Sequence, residues 1–523
     1  MKDTVRRRVN IIAFLACAGV AAIYLAFRHL GAAHLDVISS HVGAREPTLV
    51  DTTFYPLRIA SYDVEGTKWG SAGALSKTLD QDQVLIATRL GIFWLFDVKA
   101  RSFYKLAVPP PTDINRLINI AGNSRGKTSY GLKDIFVHTD NGHNILLASS
   151  QSVSKSGDCY TLKLFRYDEP QARSVREFSG RGEWTELFSS YPCIPFSAQQ
   201  FPMEAGGRIQ IINDDHILLT VGDHLFDINN MVQNPKASYG KVFVVNLHQQ
   251  GAQVFSIGHR NPQGLLVTDN GSIWETEHGP KGGDELNKLV HAGNYGWPLS
   301  THGAAYGGFS WPLATIQDSD DGYMQAVFVW QPSIGVSNLI QLQGELMPLW
   351  RGDLAVASLR AKSLFRIRLR EDRVQLIEQV YVGRRIRDLL EMPSGEIVML
   401  FDSDSDGGVG SVGIAHPEQA AESNGIVAQH PSLEACARCH TLHELQGDGL
   451  APNLWGIIGR DIAATPRYPY SAALSNLNGQ WDEMNLKSFL ENPQRVANGT
   501  SMPNLGLSQE QINEIVEALH ALH

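Results

Sequence analysis

The chain reads as an all-β propeller, six-bladed, preceded by one membrane-spanning helix and followed by a small all-α domain. Three observations predict this. Strand, turn, strand spellings recur through the middle of the chain, amphipathic helical patterns are confined to the last hundred residues, and an uncharged apolar run opens the sequence. The expected organisation is a membrane anchor at 1–30, a tether at 31–50, the propeller at 51–415, a linker at 416–424 and the helical domain at 425–523. A length of 523 residues, 43% apolar content and a net charge of -10 describe a globular body. No basic stripe calls for nucleic acid.

At the N-terminus, Arg6, Arg7 and Arg8 precede Ile11 to Phe27, seventeen residues without a charge. That is just enough to span a bilayer as a helix. Positive charge stays inside, so the remainder of the chain is expected outside the cytoplasm, held at a cell inner membrane with its domains in the periplasm. A cleaved signal peptide is the rival reading, but no convincing small-residue cleavage site precedes Arg28. The stretch before Cys17 is too short for a lipid-attachment box.

The central region alternates short apolar runs with turns. Val84 to Asp97 holds two runs around Gly91, and Ile135 to Ser149 turns at Asn141-Gly142, a strong hairpin signal. Arg208–Asp223, Gly264–His278 and Asp388–Asp402 share one spelling of strand, turn, strand and polar loop. The first two are offset by about fifty to sixty residues, the scale of a propeller blade. A stacked sandwich fits the alternation less well at this length. The run Asp402-x-Asp404-x-Asp406-Gly407 starts like a calcium loop, yet Gly413 stands where such a loop needs Glu, so it reads as a solvated turn. Cys159 and Cys193 can pair in an oxidising compartment, although spacing does not establish it.

Cys436-Ala437-Arg438-Cys439-His440 carries the most chemistry. Two cysteines so spaced and followed by His can bond one haem covalently and ligate its iron through His440. A zinc site would need a second Cys/His cluster, and none follows at that spacing. Met502, sixty-two residues on, would complete a His/Met iron site with no open position. Trp481-Asp482-Glu483 opens a helical pattern with Leu486, Phe489 and Leu490, and Ser508-x-x-Gln511 spells a capping box before Ile512, Ile515, Val516, Leu519 and Leu522. These last hundred residues resemble the class I cytochromes c. The resemblance implies that Pro452 accepts the proximal His hydrogen bond and that Met502 is the distal ligand.

At Gly258-His259-Arg260-Asn261-Pro262-Gln263-Gly264 the chain resembles the soluble glucose and aldose sugar dehydrogenases that use pyrroloquinoline quinone. The likeness continues through Glu277-His278-Gly279-Pro280, Gly283-Asp284-Glu285-Leu286-Asn287 and Gly293-Asn294-Tyr295-Gly296-Trp297-Pro298. It is strong from about 206 to 298 and patchy elsewhere. By resemblance, Arg260 and Asn261 contact the quinone, and the carbonyls of Gly279 and Pro280 hold a calcium ion at its edge. Arg385 and Arg387 match the pair that holds the cofactor carboxylates, while Glu285 and the Tyr295 carbonyl match a second, structural calcium. A trianionic planar cofactor needs guanidinium forks, and a hard cation with oxygen ligands polarises a quinone.

Departures from the family pattern matter. The resemblance implies a proton-abstracting His where this chain has Glu204, in Glu204-Ala205-Gly206-Gly207-Arg208. Glu204 can replace it if burial and Asp223 raise its pKa. Arg360 stands in place of a family lysine, and a family Gln before Gly131-Leu132 is absent, with Thr128 and Ser129 nearby. The expectation is a membrane-anchored quinohaemoprotein that oxidises an aldose or another small alcohol or aldehyde and passes electrons singly through its haem. The acceptor would be a soluble cytochrome, a copper protein or an oxidase. The alternative is a tethered electron carrier whose propeller is an inactive binding module.

Overall fold

The computed structural model describes residues 45–63, 73–121, 129–196, 203–308, 310–314, 316–317, 322–402, 410–418, 426, 429–437, 439–444, 451–465, 468 and 470–522. The expected anchor lies outside these residues. Among the described residues, no helix is long and apolar enough to cross a membrane.

Six antiparallel sheets, each with four core strands, stand around a common axis. Their inner strands are Gly73–Lys77, Leu132–Asp140, Gly206–Asn213, Pro262–Val267, Val336–Gln341 and Ile386–Glu391. Each contacts the next, and the last contacts the first. The ring is closed by the two ends of the propeller segment, because Leu57–Asp63 pairs with Ser411–Pro417 in the final blade. Each of the three repeated spellings supplies the inner and second strand of a blade. The Asn141-Gly142 turn forms as expected, with both residues at positive φ.

Three details differ from the sequence reading. Thr48–Val50, expected in the tether, form an edge strand on Leu57–Ile59. The final strand runs to Pro417, two residues into the expected linker. A short helix, Ile114–Ala121, interrupts the all-β region. Cys159 and Cys193 form a disulfide.

Alternation on the strands buries apolar side chains between blades, as in the cluster of Leu147, Leu162, Ile209, Leu219, Phe243 and their neighbours. Along the axis the solution is polar. Arg208 Nη1 lies 3.1 Å from both Asp134 Oδ1 and Asp388 Oδ2, and its Nε donates to the Gln263 carbonyl at 2.6 Å. Asp388 accepts the Leu75 amide at 2.8 Å and the Asn338 side-chain amide at 2.5 Å. These six residues belong to the six different inner strands, so one buried network ties every blade to the centre.

The C-terminal domain packs Glu434–Ala437, Glu483–Glu491, Pro493–Val496 and Gln509–His520 around Leu433, Phe489, Ile512, Ile515 and Leu519. Asp482 caps the second of these helices, and Ser508 with Gln511 forms the capping box in full.

Arg208→Ala strands two buried carboxylates beside each other. It should lower propeller stability by about 3–5 kcal/mol, read as a shift of the propeller transition in thermal or urea unfolding. Arg208→Lys should recover only part of it, because an ammonium cannot fork to three partners.

Candidate functional site

All six inner strands enter from the same end of the barrel, and their antiparallel second strands finish there. Residues just before an inner strand and just after a second strand therefore converge on one mouth. Glu204, Arg260, Asn261 and Arg385 precede or begin inner strands; Asp223, Gly279, Pro280, Arg360 and Asp402 follow second strands. Topology thus gathers the sequence-predicted cup from across the chain.

Glu204 and Asp223 meet in it. Glu204 sits at φ 57°, its carbonyl accepts the His224 amide at 3.1 Å, and it leaves no room beside Gly222, where an added Cβ would lie 1.9 Å from that carbonyl. Arg260 Nη2 donates to Glu204 Oε1 at 2.5 Å. Asp223 is fully buried; it accepts the Leu225 amide and the Trp297 indole N–H, each at 2.8 Å. Burial, then the charge of Glu204, holds the Asp223 carboxyl well above the usual carboxylate range. Burial beside a second carboxylate therefore favours the protonated form of Asp223. Two imidazoles stand close by. Burial pulls His224 down to about 3 and also lowers His278, so both are neutral near pH 7.

The cationic wall is larger than the sequence suggested. Arg387 forks onto Asp402 at 3.1 and 2.6 Å, and Arg385 Nε lies 3.8 Å from the same carboxylate. Asp402, read as part of a solvated turn, thus orients both arginines. Arg360 sits at the rim, exposed. Lys133 and Arg89 were not anticipated. Lys133 Nζ donates to the Ser129 carbonyl at 2.6 Å, and Arg89 donates to the Tyr130 carbonyl at 2.5 Å. Burial, then the facing charges of Arg89 and Arg387, pulls the Lys133 ammonium down to about 7. The only signal in sequence was one lysine at an inward position of a strand, and its neighbours are supplied by other blades. Trp297 and Trp311, with centroids 4.7 Å apart, form an aromatic side to the mouth.

Two places could hold a cation. The His278 and Gly279 carbonyls point at the cup and accept Arg260 Nη1 at 3.0 and 2.9 Å. Behind the cup, Glu285 joins Glu275 and Glu277, all three accepting from Asn287 Nδ2 at 3.1–3.3 Å. His259 Nδ1 lies 3.4 Å from Glu277 and the ring stacks on Tyr295. His259, Glu275 and Glu277 are close enough to share one ion. Burial, then the charges of Glu277 and Glu285, holds Glu275 well above the carboxylate range, as crowding of negative groups requires.

In the C-terminal domain the crevice brings Cys436, Cys439, His440 and Met502 together. His440 Nδ1–H donates to the Pro452 carbonyl at 2.7 Å, the bond that would fix the ring of a haem ligand. Apolar Leu454, Leu474, Leu486 and Phe489 complete the lining. The donor set and shape fit a covalently held haem.

Residues 77–409 match the model of the Glucose / Sorbosone dehydrogenase family. The chain belongs to that family. It is 36% identical over 157 residues to Aldose sugar dehydrogenase YliI of Escherichia coli (strain K12), a match covering 29% of this chain and 42% of the relative. Over 79 residues the chain is 42% identical to a cytochrome c homolog of Rickettsia typhi, covering 15% of this chain and 45% of that protein. Each match spans less than two-thirds of the relative's own length. The fold also aligns with the crystal structure of the soluble aldose sugar dehydrogenase of Escherichia coli in its apo form, with a TM-score of 0.56, 22% identity and coverage of 69% of this chain and 100% of the other.

Proposed function

We propose that this chain is a quinohaemoprotein that oxidises an aldose or related small alcohol or aldehyde in the propeller and relays the electrons through a c-type haem. The observation that carries this reading is the cup itself, in which Arg260, Arg385, Arg387 and Lys133 surround the Glu204–Asp223 pair on a chain that also holds a Cys/Cys/His/Met crevice. Pyrroloquinoline quinone, when bound, would supply a carbonyl carbon that accepts hydride. Arg385 and Arg387 would hold its carboxylates, and Asn261 with Arg260 its ring edge. Calcium would sit on the Gly279 and Pro280 carbonyls, displacing the Arg260 fork. A second ion would neutralise Glu275, Glu277 and Glu285, with the Tyr295 carbonyl as a further oxygen donor.

The residues divide the proton work. Glu204 accepts the substrate hydroxyl proton, Asp223 keeps its own proton and orients Glu204, and Trp297 fixes Asp223. His440 and Met502 would hold the haem iron, a donor pair that suits electron passage and not substrate chemistry. The run Ile11 to Phe27 would anchor the protein in the inner membrane with both domains in the periplasm, delivering electrons to a respiratory acceptor. A second reading, an inactive propeller beside a working cytochrome, is favoured by one contact: Arg260 already occupies both Glu204 and the Gly279 carbonyl.

Protein reconstituted with calcium and pyrroloquinoline quinone should bind the quinone stoichiometrically and reduce its haem when given an aldose. Binding without turnover supports the inactive propeller, and absence of binding overturns the quinone reading. In that preparation Glu204→Gln should slow substrate oxidation about a hundredfold or more while haem spectra stay unchanged. A wild-type rate would move the base to His278.

Lys133 is largely neutral above about pH 7 in the free protein. Capture of an anionic cofactor then draws in a proton, so quinone affinity should fall as pH rises above about 7. Lys133→Met should flatten that dependence in a fluorescence or calorimetric titration. In the cytochrome domain, Met502→Ala should abolish the sulfur-to-iron band at the red end of the oxidised spectrum and lower the potential, with haem still attached.

A further inference from the structure

The haem crevice is not built by the C-terminal domain alone. Phe54, Pro348 and Leu349, all from the propeller, line it beside Cys439, His440 and Met502. Cys439 also packs on the propeller cluster containing Tyr55, Trp350 and Val382, with its Sγ 3.8 Å from Tyr55 Oη. This wall is braced from within. The Leu349 amide donates to Tyr55 Oη at 3.0 Å, and Tyr55 meets Trp350 edge-on at 5.8 Å. Beneath them the buried Arg366, held by Asp353 and Glu378 at 2.7 Å each, lies 5.0 Å from the Phe54 ring and 5.4 Å from that of Trp350.

Strand direction shows which end of the propeller this is. Pro348–Trp350 lies in the connection from the inner strand Val336–Gln341 to the second strand Leu354–Ser358. That is the exit end, whereas the quinone cup occupies the entry end. Phe54 and Tyr55 precede Leu57, which pairs with Pro417 at the finish of its strand, again the exit end. An inner strand such as Pro262–Val267 has 6 residues. At about 3.3 Å each, it separates the two ends by roughly 20 Å.

We propose that the exit end of the propeller is a seat for the haem crevice, with Phe54, Tyr55, Pro348 and Leu349 shielding the haem edge and holding it a propeller's height from the cup. The occupant is this chain's own cytochrome domain. The last described residue of the propeller lies at the same end, where the Glu418 amide donates to the Pro56 carbonyl at 2.7 Å and Arg58 forks onto the Glu418 carboxylate at 2.5 and 2.8 Å. A seated haem is shielded from solvent and remote from the cup, so electron exchange between the two ends requires the crevice to leave its seat.

The seat rests on the haem reading alone, and the isolation it imposes rests also on the quinone reading. Its test is the full chain with haem attached, comparing wild type with Leu349→Asp and Phe54→Ala. Each variant removes apolar burial worth about a tenfold shift in the docking equilibrium. Both should lower the haem potential by admitting water and speed the binding of free imidazole to the iron by about that factor, with unchanged circular dichroism. A potential and imidazole rate equal to wild type in both folded variants would overturn the seat. Absence of covalent haem would instead remove the cytochrome reading beneath it. In quinone-loaded protein the variants should also show faster reduction of the haem by substrate, each ferric iron taking one electron. Slower reduction would mean that the seat is an entry point for electrons and would overturn the isolation it is proposed to impose.

Discussion

The propeller depends on one buried guanidinium. A ring of six blades offers each inner strand two neighbours but gives the axis itself little apolar material, because the inner strands carry polar side chains toward it. Arg208 resolves this by accepting two carboxylates and a carbonyl as partners, and Asp388 then reaches the remaining strands through Leu75 and Asn338. A charge buried this deeply is tolerated only because every fork is occupied. Crowding of the two carboxylates leaves its mark: burial, opposed by Arg208 and reinforced by Asp388, pushes Asp134 up to about 7.

That network also aims the chemistry. Arg208 ends the tight run that starts at Glu204, and Asp388 stands one residue after Arg387. The hub that ties the blades thus fixes the bases of two functional side chains, while Gly222 gives the Glu204 loop the space it needs. The charge pattern follows from the same arrangement. Cations collect at the entry mouth, and acidic groups collect behind it around Asn287. An anionic planar cofactor and hard cations are the complementary ligands of such a layout.

Much of this was legible in the chain. Period-two runs with turns at blade spacing gave the blades, and the Asn141-Gly142 hairpin and the Ser508/Gln511 capping box formed as their local chemistry requires. The bond from His440 to Pro452 was implied by the likeness to the class I cytochromes c, and it forms. Lys133, Arg89 and Glu275 could not be read, since each is an ordinary residue until distant strands surround it. Asp402 was misassigned for the same reason: its partners Arg385 and Arg387 reach it only through the pairing of two strands.

By itself, then, the sequence determined what is written locally: the strands and their turns, the helix caps, the haem-attachment residues and the order of the two domains. The tertiary structure decided the burial that raises the Asp223 carboxyl, how many cations face the cup, and which end of the propeller closes the haem crevice. Those outcomes depend on burial and on distances between residues that are dozens to hundreds of positions apart, as with Tyr55 and Cys439. Ring closure sets those distances, and no local pattern encodes it.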